Sequence, residues 1–456
     1  MVKLMLLLLH VISLTYLVLL SVKRYPVSLS MYWVVIFYAI YVLTPSIRMY
    51  STTLSWVGSP LAEEIASYSL VGFVSFVIGN VLFLSRMEFL DGLPCGANIE
   101  IQHSTAKKVF VCIIIVTMIL FLLKVGIWGL RSIFTFGSRE YWLGKTSKSL
   151  VDTLSEWSWF YVGVTGSVLV LSADSKQNRR RAWITFLLVV IFASTVVFAR
   201  RHVVYPVFAI VFQRLSTSRN KRRVVTLGLL AVPAFFIMMV LMGYLRTYGV
   251  YAVNLAMIID GFRLNRFTDL FFSNTDFAAS YYFLSRQVAF GGIRANPLGY
   301  LKLLFAPIPR AIWASKPNYT SMEILSVLEP VKVSQGFSAA TGYIGEALAT
   351  MGVGGIVLVS MIWGVFCGYL DKKYYYRLRA QCCSGEKDGH ARSGFTVFDL
   401  AYIYAAILLI TESHRGDFGA SSIHYVLEII FPAIVFSTIS NRQRNNKPGH
   451  EKNLLG

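Results

Sequence analysis

The sequence predicts an all-α, polytopic membrane protein, and its composition carries the prediction. Of the 456 residues, 55% are apolar and 14% are charged, and the mean hydropathy is +0.59. A soluble enzyme is excluded, because soluble globular proteins have about a quarter of their residues charged. A disordered chain is excluded by the high apolar content. The net charge of +20 would suit a nucleic-acid binder, but the hydropathy excludes nucleic acid as a partner.

Eleven apolar stretches are candidate transmembrane helices. The first is followed by Lys23-Arg24 and has no small-residue cleavage site, so we interpret it as a retained span rather than a signal peptide. Another is short and contains Pro206, which suggests a tight hairpin with the stretch before it. The eleven are Leu4–Ser21, Met31–Ile47, Ile65–Leu84, Val109–Leu123, Trp157–Leu171, Trp183–Phe198, Val203–Phe212, Val224–Tyr244, Gly354–Leu370, Val397–Ile410 and Ser421–Ile439.

Basic clusters between these stretches predict the orientation, because cytoplasmic loops of membrane proteins are rich in Lys and Arg. Clusters at 179–181, 219–223 and 372–379 and the basic tail are therefore expected in the cytoplasm. Alternation from these clusters puts the N-terminus outside and the C-terminus inside, with 24 Lys and Arg inside and 19 outside. The surplus of basic residues outside is larger than we expect of an ordinary transporter.

The segment between the eighth and ninth stretches divides the chain into three predicted regions. Residues 1–244 form an N-terminal bundle of about eight spans, 245–353 a large extracytoplasmic loop, and 354–456 the last spans and a cytoplasmic tail. Apolar residues recur at helical spacing in the loop, and prolines interrupt it, so we expect a cap of short helices rather than a linker.

Two groups of arginines lie at predicted outer ends of spans. A charge at mid-bilayer costs roughly 2.5–3.5 kcal/mol on insertion scales, so such residues need a partner or a water-filled cavity. Arg200 and Arg201 are either a snorkelling interfacial pair or a clamp for phosphate, whose oxygens guanidinium groups match in bidentate fashion. Arg246, with Tyr248, ends the eighth stretch in the same way.

A proline-rich segment of the loop holds two further cations. Prolines at 307, 309 and 317 restrict the backbone around Arg310 and Lys316. Trp313 between them can serve as an interfacial anchor or as a stacking face for a sugar. A re-entrant turn is the structural alternative, but three prolines and a tryptophan around two cations favour a functional site.

Three groups could act as a general base. Glu346 follows the glycines of the segment 336–345, where it could also pair with an arginine or cap a helix. His414 and Asp417 flank Arg415 in the short outer loop between the last two spans. The segments predicted to lie outside the membrane on the extracytoplasmic side contain no D-x-D motif, which disfavours a metal-dependent glycosyltransferase. No Walker A or G-x-S-x-G motif occurs, so neither an ATP-driven motor nor a serine hydrolase is indicated. We predict no metal and no other cofactor.

With these motifs in their order and spacing, the chain resembles the O-antigen polymerases (Wzy-type oligosaccharide repeat-unit polymerases) of bacteria. The resemblance covers nearly the whole length, including about eleven spans and a large outer loop in the second half. It rests on Arg200-Arg201 and on three further segments. Those segments are Pro309-Arg310 through Lys316-Pro317, Gly336-Phe337-Ser338 through Gly352, and Arg415-Gly416-Asp417-Phe418.

The resemblance implies a membrane-embedded glycosyltransferase-like fold that acts without a metal at the periplasmic face of the bacterial inner membrane. A growing glycan on undecaprenyl pyrophosphate would be transferred to a lipid-linked repeat unit, with membrane lipid and a chain-length regulator as further partners. Cleavage of a sugar–pyrophosphate bond produces an acidic leaving group, which requires positive charge more than a proton donor. We therefore expect Arg200, Arg201, Arg310 and Arg415 to bind the pyrophosphate, followed by Arg246, Arg286 and Lys316. Trp313 and Tyr248 would line the glycan groove, and Glu346 is the first choice of base before Asp417 and His414.

Two other functions remain as alternatives. An O-antigen ligase uses the same donor, but such ligases carry a histidine in the large outer loop, and residues 245–353 contain none. A flippase or other transporter of lipid-linked oligosaccharides would have two similar halves and short outer loops. The long outer segment and the lack of a visible repeat argue against it.

Overall fold

The protein is almost entirely helical in a computed structural model. The structure describes residues 2–22, 28–46, 59–86, 99–136, 150–196, 201–217, 226, 254–261, 276–301, 304, 312–313, 315–334, 341–388, 395–415 and 426–445. Within these ranges no strand occurs, and the β-structure is a single isolated bridge between Glu100 and Thr396. The predicted all-α class is therefore confirmed.

Fourteen α-helices follow one another along the described chain. The first seven are α1 (Val2–Val22), α2 (Leu29–Tyr38), α3 (Ser59–Arg86), α4 (His103–Phe136), α5 (Leu150–Leu171), α6 (Lys176–Val196) and α7 (Arg201–Thr217). The others are α8 (Leu255–Gly261), α9 (Asp276–Ala289), α10 (Thr320–Leu328), α11 (Pro330–Ser334), α12 (Gly342–Asp388), α13 (Val397–Arg415) and α14 (Phe431–Asn445). A short π-helix at Ala39–Leu43 extends α2, and another at Val426–Ile430 precedes α14. A 3-10 helix spans Pro297–Leu301.

Five of these helical segments are long and apolar enough to cross a membrane. They are Leu29–Ser46, Leu61–Leu82, His103–Gly126, Gly342–Tyr375 and Val397–His414. Large apolar side chains also point outward at helical spacing, as Ile115, Ile119 and Leu122 do on α4. An apolar outer surface is what lipid requires, so the membrane character predicted from the composition is confirmed.

Ten of the eleven predicted stretches coincide with or overlap helices. The eleventh, Val224–Tyr244, lies outside the described residues except for Thr226. Two helices contain a break in the backbone, α4 at Gly126 and α12 at Gly352, each with φ of +65°. The break at Gly352 falls next to the predicted end of the outer loop at residue 353. The number of membrane crossings and their orientation stay predictions.

The described chain divides into two compact units. The first comprises Met1–Cys95, Asp269–Arg379 and Leu408–Val426, and the second comprises Gly96–Thr268, Ala380–Ile407 and Leu427–Gly456. Both units combine segments that are far apart in sequence. The three regions predicted at 1–244, 245–353 and 354–456 describe membrane topology and stay a prediction.

A buried polar network joins α1, α2, α3 and α12 in the first unit. Asp371 of α12 accepts hydrogen bonds from the backbone amides of Leu29 (2.6 Å) and Ser30 (3.0 Å) and from the Ser30 hydroxyl (2.6 Å). Asn80 of α3 donates to Ser30 Oγ (2.8 Å) and accepts from the Tyr16 hydroxyl (2.8 Å). Asp371 thus satisfies the free amides that begin α2.

Glycines allow α3 and α12 to approach closely beside this network. A Cβ at Gly79 would collide with the carbonyl oxygen of Met361, and one at Gly364 with the carbonyl oxygen of Phe76. Small residues at such crossings let helix backbones meet, which is how membrane helices gain packing where lipid removes the hydrophobic driving force.

The short helices of the segment 276–334 pack on the beginning of α12. Ile293, Ile324 and Leu328 form a buried apolar cluster with Ala349 of α12. The amide of Ala295 donates to the carbonyl oxygen of Ala349 (2.9 Å). These contacts bring the segment against the part of α12 that precedes the break at Gly352.

The second unit has its own capping and interhelical hydrogen bonds. Thr396 and Asp399 cap the start of α13, since the Thr396 amide donates to Asp399 Oδ2 (2.9 Å) and the Asp399 amide to Thr396 Oγ1 (3.4 Å). The hydroxyls of Ser167 and Tyr404 lie 2.9 Å apart and link α5 to α13. The Tyr161 hydroxyl donates to the carbonyl oxygen of Leu427 (3.0 Å).

Candidate functional site

The structure describes the side chains of five of the twelve candidate site residues. These are Arg286, Trp313, Lys316, Glu346 and His414. Arg201 begins α7 and Arg415 ends α13, but only their place in these helices is described. Arg200, Arg246, Tyr248, Arg310 and Asp417 lie outside the described residues.

The beginning of α12 meets the end of α13 at Gly342. A Cβ at this position would collide with the carbonyl oxygen of His414 and would lie 2.6 Å from the Tyr41 hydroxyl. Gly342 also has φ of +63°, a conformation that side chains disfavour. The glycine-rich segment and the 412–418 segment, far apart in sequence, therefore adjoin in the first unit.

His414 is enclosed by aromatic rings. Its ring centroid lies 4.9 Å from that of Trp33 and 5.1 Å from that of Tyr343, with Tyr41 at 6.5 Å. Trp33 in turn stacks on Phe76 at 3.6 Å. The relative exposure of the histidine is 0%. These rings fix the orientation of the imidazole at the end of α13.

One nitrogen of His414 has a defined role in this enclosure. Nδ1 lies 2.8 Å from the carbonyl oxygen of Ile410, one turn earlier in α13. A carbonyl can only accept, so Nδ1 carries a proton and donates. Nε2 is buried and has no hydrogen-bond partner among the described residues. In the neutral ring Nε2 is therefore an acceptor directed into the cluster.

Glu346 lies one helical turn beyond Gly342 and Tyr343, and its relative exposure is also 0%. The preceding residue, Gly345, accepts a hydrogen bond at its carbonyl oxygen from Gln287 Nε2 (3.1 Å). Gln287 belongs to α9 and is itself fully buried. The helix that carries Glu346 is thus held between α9 on one side and the end of α13 on the other.

Several buried polar atoms around this junction have no hydrogen-bond partner within the described part of the chain. They are Nε1 of Trp33, Oε1 of Gln287, Oγ1 of Thr341 and Nε2 of His414. Buried polar groups in proteins are nearly always paired with protein, ordered water or ligand. Ordered water or a small polar group would complete the hydrogen bonds of these four atoms.

Arg286 has an acidic partner. Its Nη1 donates to Glu329 Oε1 at 2.8 Å and to the Tyr282 hydroxyl at 3.0 Å. The guanidinium also lies 5.9 Å from the ring centroid of Phe290. An arginine whose charge is already balanced by a carboxylate is less available for pyrophosphate, so the structure favours a structural role for Arg286.

Trp313 and Lys316 belong to one tight turn. The amide of Lys316 donates to the carbonyl oxygen of Trp313 (3.1 Å), and the indole Nε1 donates to Ser315 Oγ (3.0 Å). Lys316 is 8% exposed, and Pro317 is buried beside it. The flanking prolines left an extended and a turn conformation open, and the structure has the turn.

Sequence reasoning missed the aromatic residues that enclose His414 and the glutamine that contacts the helix of Glu346. Trp33, Tyr41 and Tyr343 lie in apolar helices, where aromatic residues are usual and carry no signal of their own. Gln287 offers a weak signal, because an amide within an amphipathic helix needs a partner when buried. Among the described residues, no three His, Cys, Asp or Glu side chains lie close enough together to hold a metal.

The chain matches no protein-family model, and no curated protein and no solved structure matches it. The class defined by the fold is thus a helical membrane protein whose first unit encloses a histidine and a glutamate. A particular function is proposed on the chemistry of these residues and of the segments that carry them.

Proposed function

We propose that this protein polymerises undecaprenyl-pyrophosphate-linked oligosaccharide repeat units into a surface polysaccharide at the periplasmic face of a bacterial inner membrane. The observation that carries the proposal is the contact of Gly342 with the His414 carbonyl. It brings one segment of the resemblance to O-antigen polymerases, Gly336 through Gly352, against the residue that directly precedes another, Arg415 through Phe418. Segments that serve one active site must meet in space, whatever their separation in sequence.

The proposed reaction exchanges one bond at the anomeric carbon. The C1–O bond between the growing glycan and undecaprenyl pyrophosphate breaks, and a C1–O bond to a hydroxyl of the incoming repeat unit forms. The hydroxyl proton passes to a base, and the electron pair of the broken bond leaves with the pyrophosphate. Arginines stabilise that leaving group, because guanidinium stays charged in a low-dielectric site and binds phosphate oxygens in pairs.

We assign Arg200, Arg201, Arg310 and Arg415 to the pyrophosphate in this proposal, with Arg246 and Lys316 beside them. Arg415 directly follows His414, whose enclosure holds the end of α13. Trp313 and Tyr248 would contact the glycan. Arg286 is placed outside the pyrophosphate site because Glu329 already balances its charge.

The burial of Glu346 and His414 suggests that they position the site rather than take the proton. A general base must come within hydrogen-bond reach of the acceptor hydroxyl, and a sugar cannot reach a side chain of 0% exposure without a rearrangement. Asp417, two residues beyond Arg415, is then the preferred base. Glu346 and His414 would hold the two segments that carry the arginines.

The test is deletion of the gene in its host, followed by electrophoresis of the surface polysaccharide. A polymerase deletion leaves single-repeat glycan on the acceptor, and the intact gene restores the ladder. Complementation with Arg310→Ala should give single-repeat glycan although the variant reaches the membrane. Complete loss of glycan would instead indicate a ligase or a flippase, and an unchanged ladder would overturn all three functions.

A further inference from the structure

Helix α12 folds back on itself at Gly352, where the backbone leaves the helical conformation. A Cβ at Gly72 of α3 would lie 3.4 Å from the hydroxyl oxygen of Tyr343 and 3.4 Å from that of Ser360. The two hydroxyls are therefore within about 7 Å of each other. In a straight helix, a rise of about 1.5 Å per residue would place residues 343 and 360 about 25 Å apart. No tyrosine side chain spans that distance, so the helix must turn back between them.

The two parts of α12 form the arms of a helical hairpin. The first arm comprises residues 342–351, and the second comprises residues 353–388. The arms touch close to the break, since a Cβ at Gly355 would lie 2.6 Å from the carbonyl oxygen of Ala347. Only the second arm therefore has the length to cross a bilayer.

The uncharged part of the second arm matches the thickness of the hydrocarbon core. No charged residue precedes Asp371 in this arm. The uncharged residues 353–370 extend about 27 Å, which is close to the thickness of about 30 Å of the hydrocarbon core. A second arm that crosses the bilayer over this part has Gly352 at one boundary of the core.

The end of α9 lies beside this break. The amide of Ala295 donates to the carbonyl oxygen of Ala349 (2.9 Å), which is close to the end of the first arm. Residues 289–292, shortly before Ala295, are exposed, and so are Met351 and the residues 353–354, shortly after Ala349. Two tips, residues 289–292 and residues 351–354, thus project from one interhelical hydrogen bond.

Both tips present apolar side chains and contain no charged residue. Phe290 is 57% exposed, and Met351 and Val353 are also exposed. Arg294, which follows the first tip, is exposed as well. Exposed apolar residues next to a basic side chain are typical of segments that lie in the membrane interface, because the apolar groups enter the acyl chains and the cation stays among the headgroups.

We propose that the two tips dock into the boundary between headgroups and acyl chains of one membrane leaflet, with Arg294 at the level of the lipid phosphates. The occupant is lipid because the apolar surface of the tips continues along the second arm, where Val353 and Val357 are exposed one helical turn apart. The sequence predicts that this leaflet is the extracytoplasmic one. The segment 276–334 would then be anchored in the bilayer instead of standing above it in water. This inference does not rest on the proposed polymerase activity.

The test is photocrosslinking of the full-length protein in phosphatidylcholine nanodiscs. The photoreactive residue p-benzoylphenylalanine replaces Phe290, Met351, Ile362 or Asp174, one position in each variant. Ile362 is the positive control, because it is exposed on the second arm within the uncharged part. Asp174 is the negative control, because it is exposed in the turn between α5 and α6. Adducts are identified by the mass of the intact protein after irradiation, and the Tm of each variant checks its fold.

The variants at Phe290 and Met351 should gain the mass of one phospholipid in a yield similar to that at Ile362, and the variant at Asp174 should gain none. If one tip does not tolerate the substitution, the other tip decides the outcome. Yields at the tips no higher than at Asp174 would overturn the proposal. A crosslink from either tip to a second protein in cell membranes, without a lipid adduct, would overturn it in favour of a protein partner.

Discussion

The backbone of Gly342 packs directly against the carbonyl oxygen of His414, a contact that any Cβ at position 342 would prevent. It couples the helix of Glu346 to the end of α13, whose last residue is Arg415. Because the residues that carry our proposal lie on both sides of this contact, it is the first place to test the structure.

Gly342→Ala should destabilise the protein through two separable effects. The left-handed backbone costs roughly 1–2 kcal/mol with a Cβ, and the collision with His414 adds about 1–3 kcal/mol. Gly352→Ala is the matched control, since its φ of +65° is similar and a Cβ there would have nothing within 4 Å. The Tm in detergent should fall for both variants, and further for Gly342→Ala. Equal losses would show that the contact with His414 is absent.

Glu346→Gln tests whether the carboxylate positions the site or takes the proton. If the carboxylate only positions the site, its loss should lower kcat about 10-fold to 100-fold and leave the shape of the pH–rate profile unchanged. A general base would contribute about 10²–10⁴-fold, and its removal would abolish the acidic limb of the profile. The measurement is single-turnover transfer between lipid-linked repeat units, with His414→Gln assayed in parallel. A profile that loses its acidic limb in either variant would identify that residue as the base.

Arg286→Ala should leave the polysaccharide ladder largely intact, in contrast to Arg310→Ala. The ion pair with Glu329 is partly exposed, and such pairs contribute about 0.2–1 kcal/mol. Glu329→Ala and the double variant complete a double-mutant cycle of unfolding free energies. If Arg286→Ala produces single-repeat glycan while Glu329→Ala does not, Arg286 binds the substrate after all.

Asp371→Asn should destabilise the first unit by about 1–3 kcal/mol. An amide at this position has one acceptor oxygen, whereas Asp371 accepts from two backbone amides and a hydroxyl at the start of α2. Asp174→Asn is the control, because Asp174 is exposed. A Tm unchanged by Asp371→Asn would argue against the capping of α2.

Gly364→Ala should separate α3 from α12. A Cβ at this position would collide with the Phe76 carbonyl oxygen and would lie 2.7 Å from the backbone nitrogen of Asn80. Gly354→Ala, in the same helix with open space around it, should leave the Tm unchanged or raise it, since Ala is favoured over Gly in a helix by roughly 0.5–1 kcal/mol. A normal Tm for Gly364→Ala would refute the close crossing.

Hydrophobic run length made most of the helices predictable. A run such as Val109–Leu123 can satisfy its backbone in lipid only as a helix, so its identity needs no knowledge of neighbouring chains. The turn at Trp313–Lys316 could not be predicted, because Pro317 restricts only its own φ and the residue before it and leaves both an extended and a turn conformation open. The breaks at Gly126 and Gly352 could not be predicted either, since glycine also occurs within regular helices.

The sequence by itself thus determined the class of protein, the positions of most helices and a set of residues with suitable chemistry. Tertiary structure decided which distant residues share a neighbourhood, as Gly342 does with His414 and Arg286 with Glu329. The physical reason is that a segment inserts into the membrane as a helix because of its own local composition. Contact between distant segments depends instead on how all the helices pack.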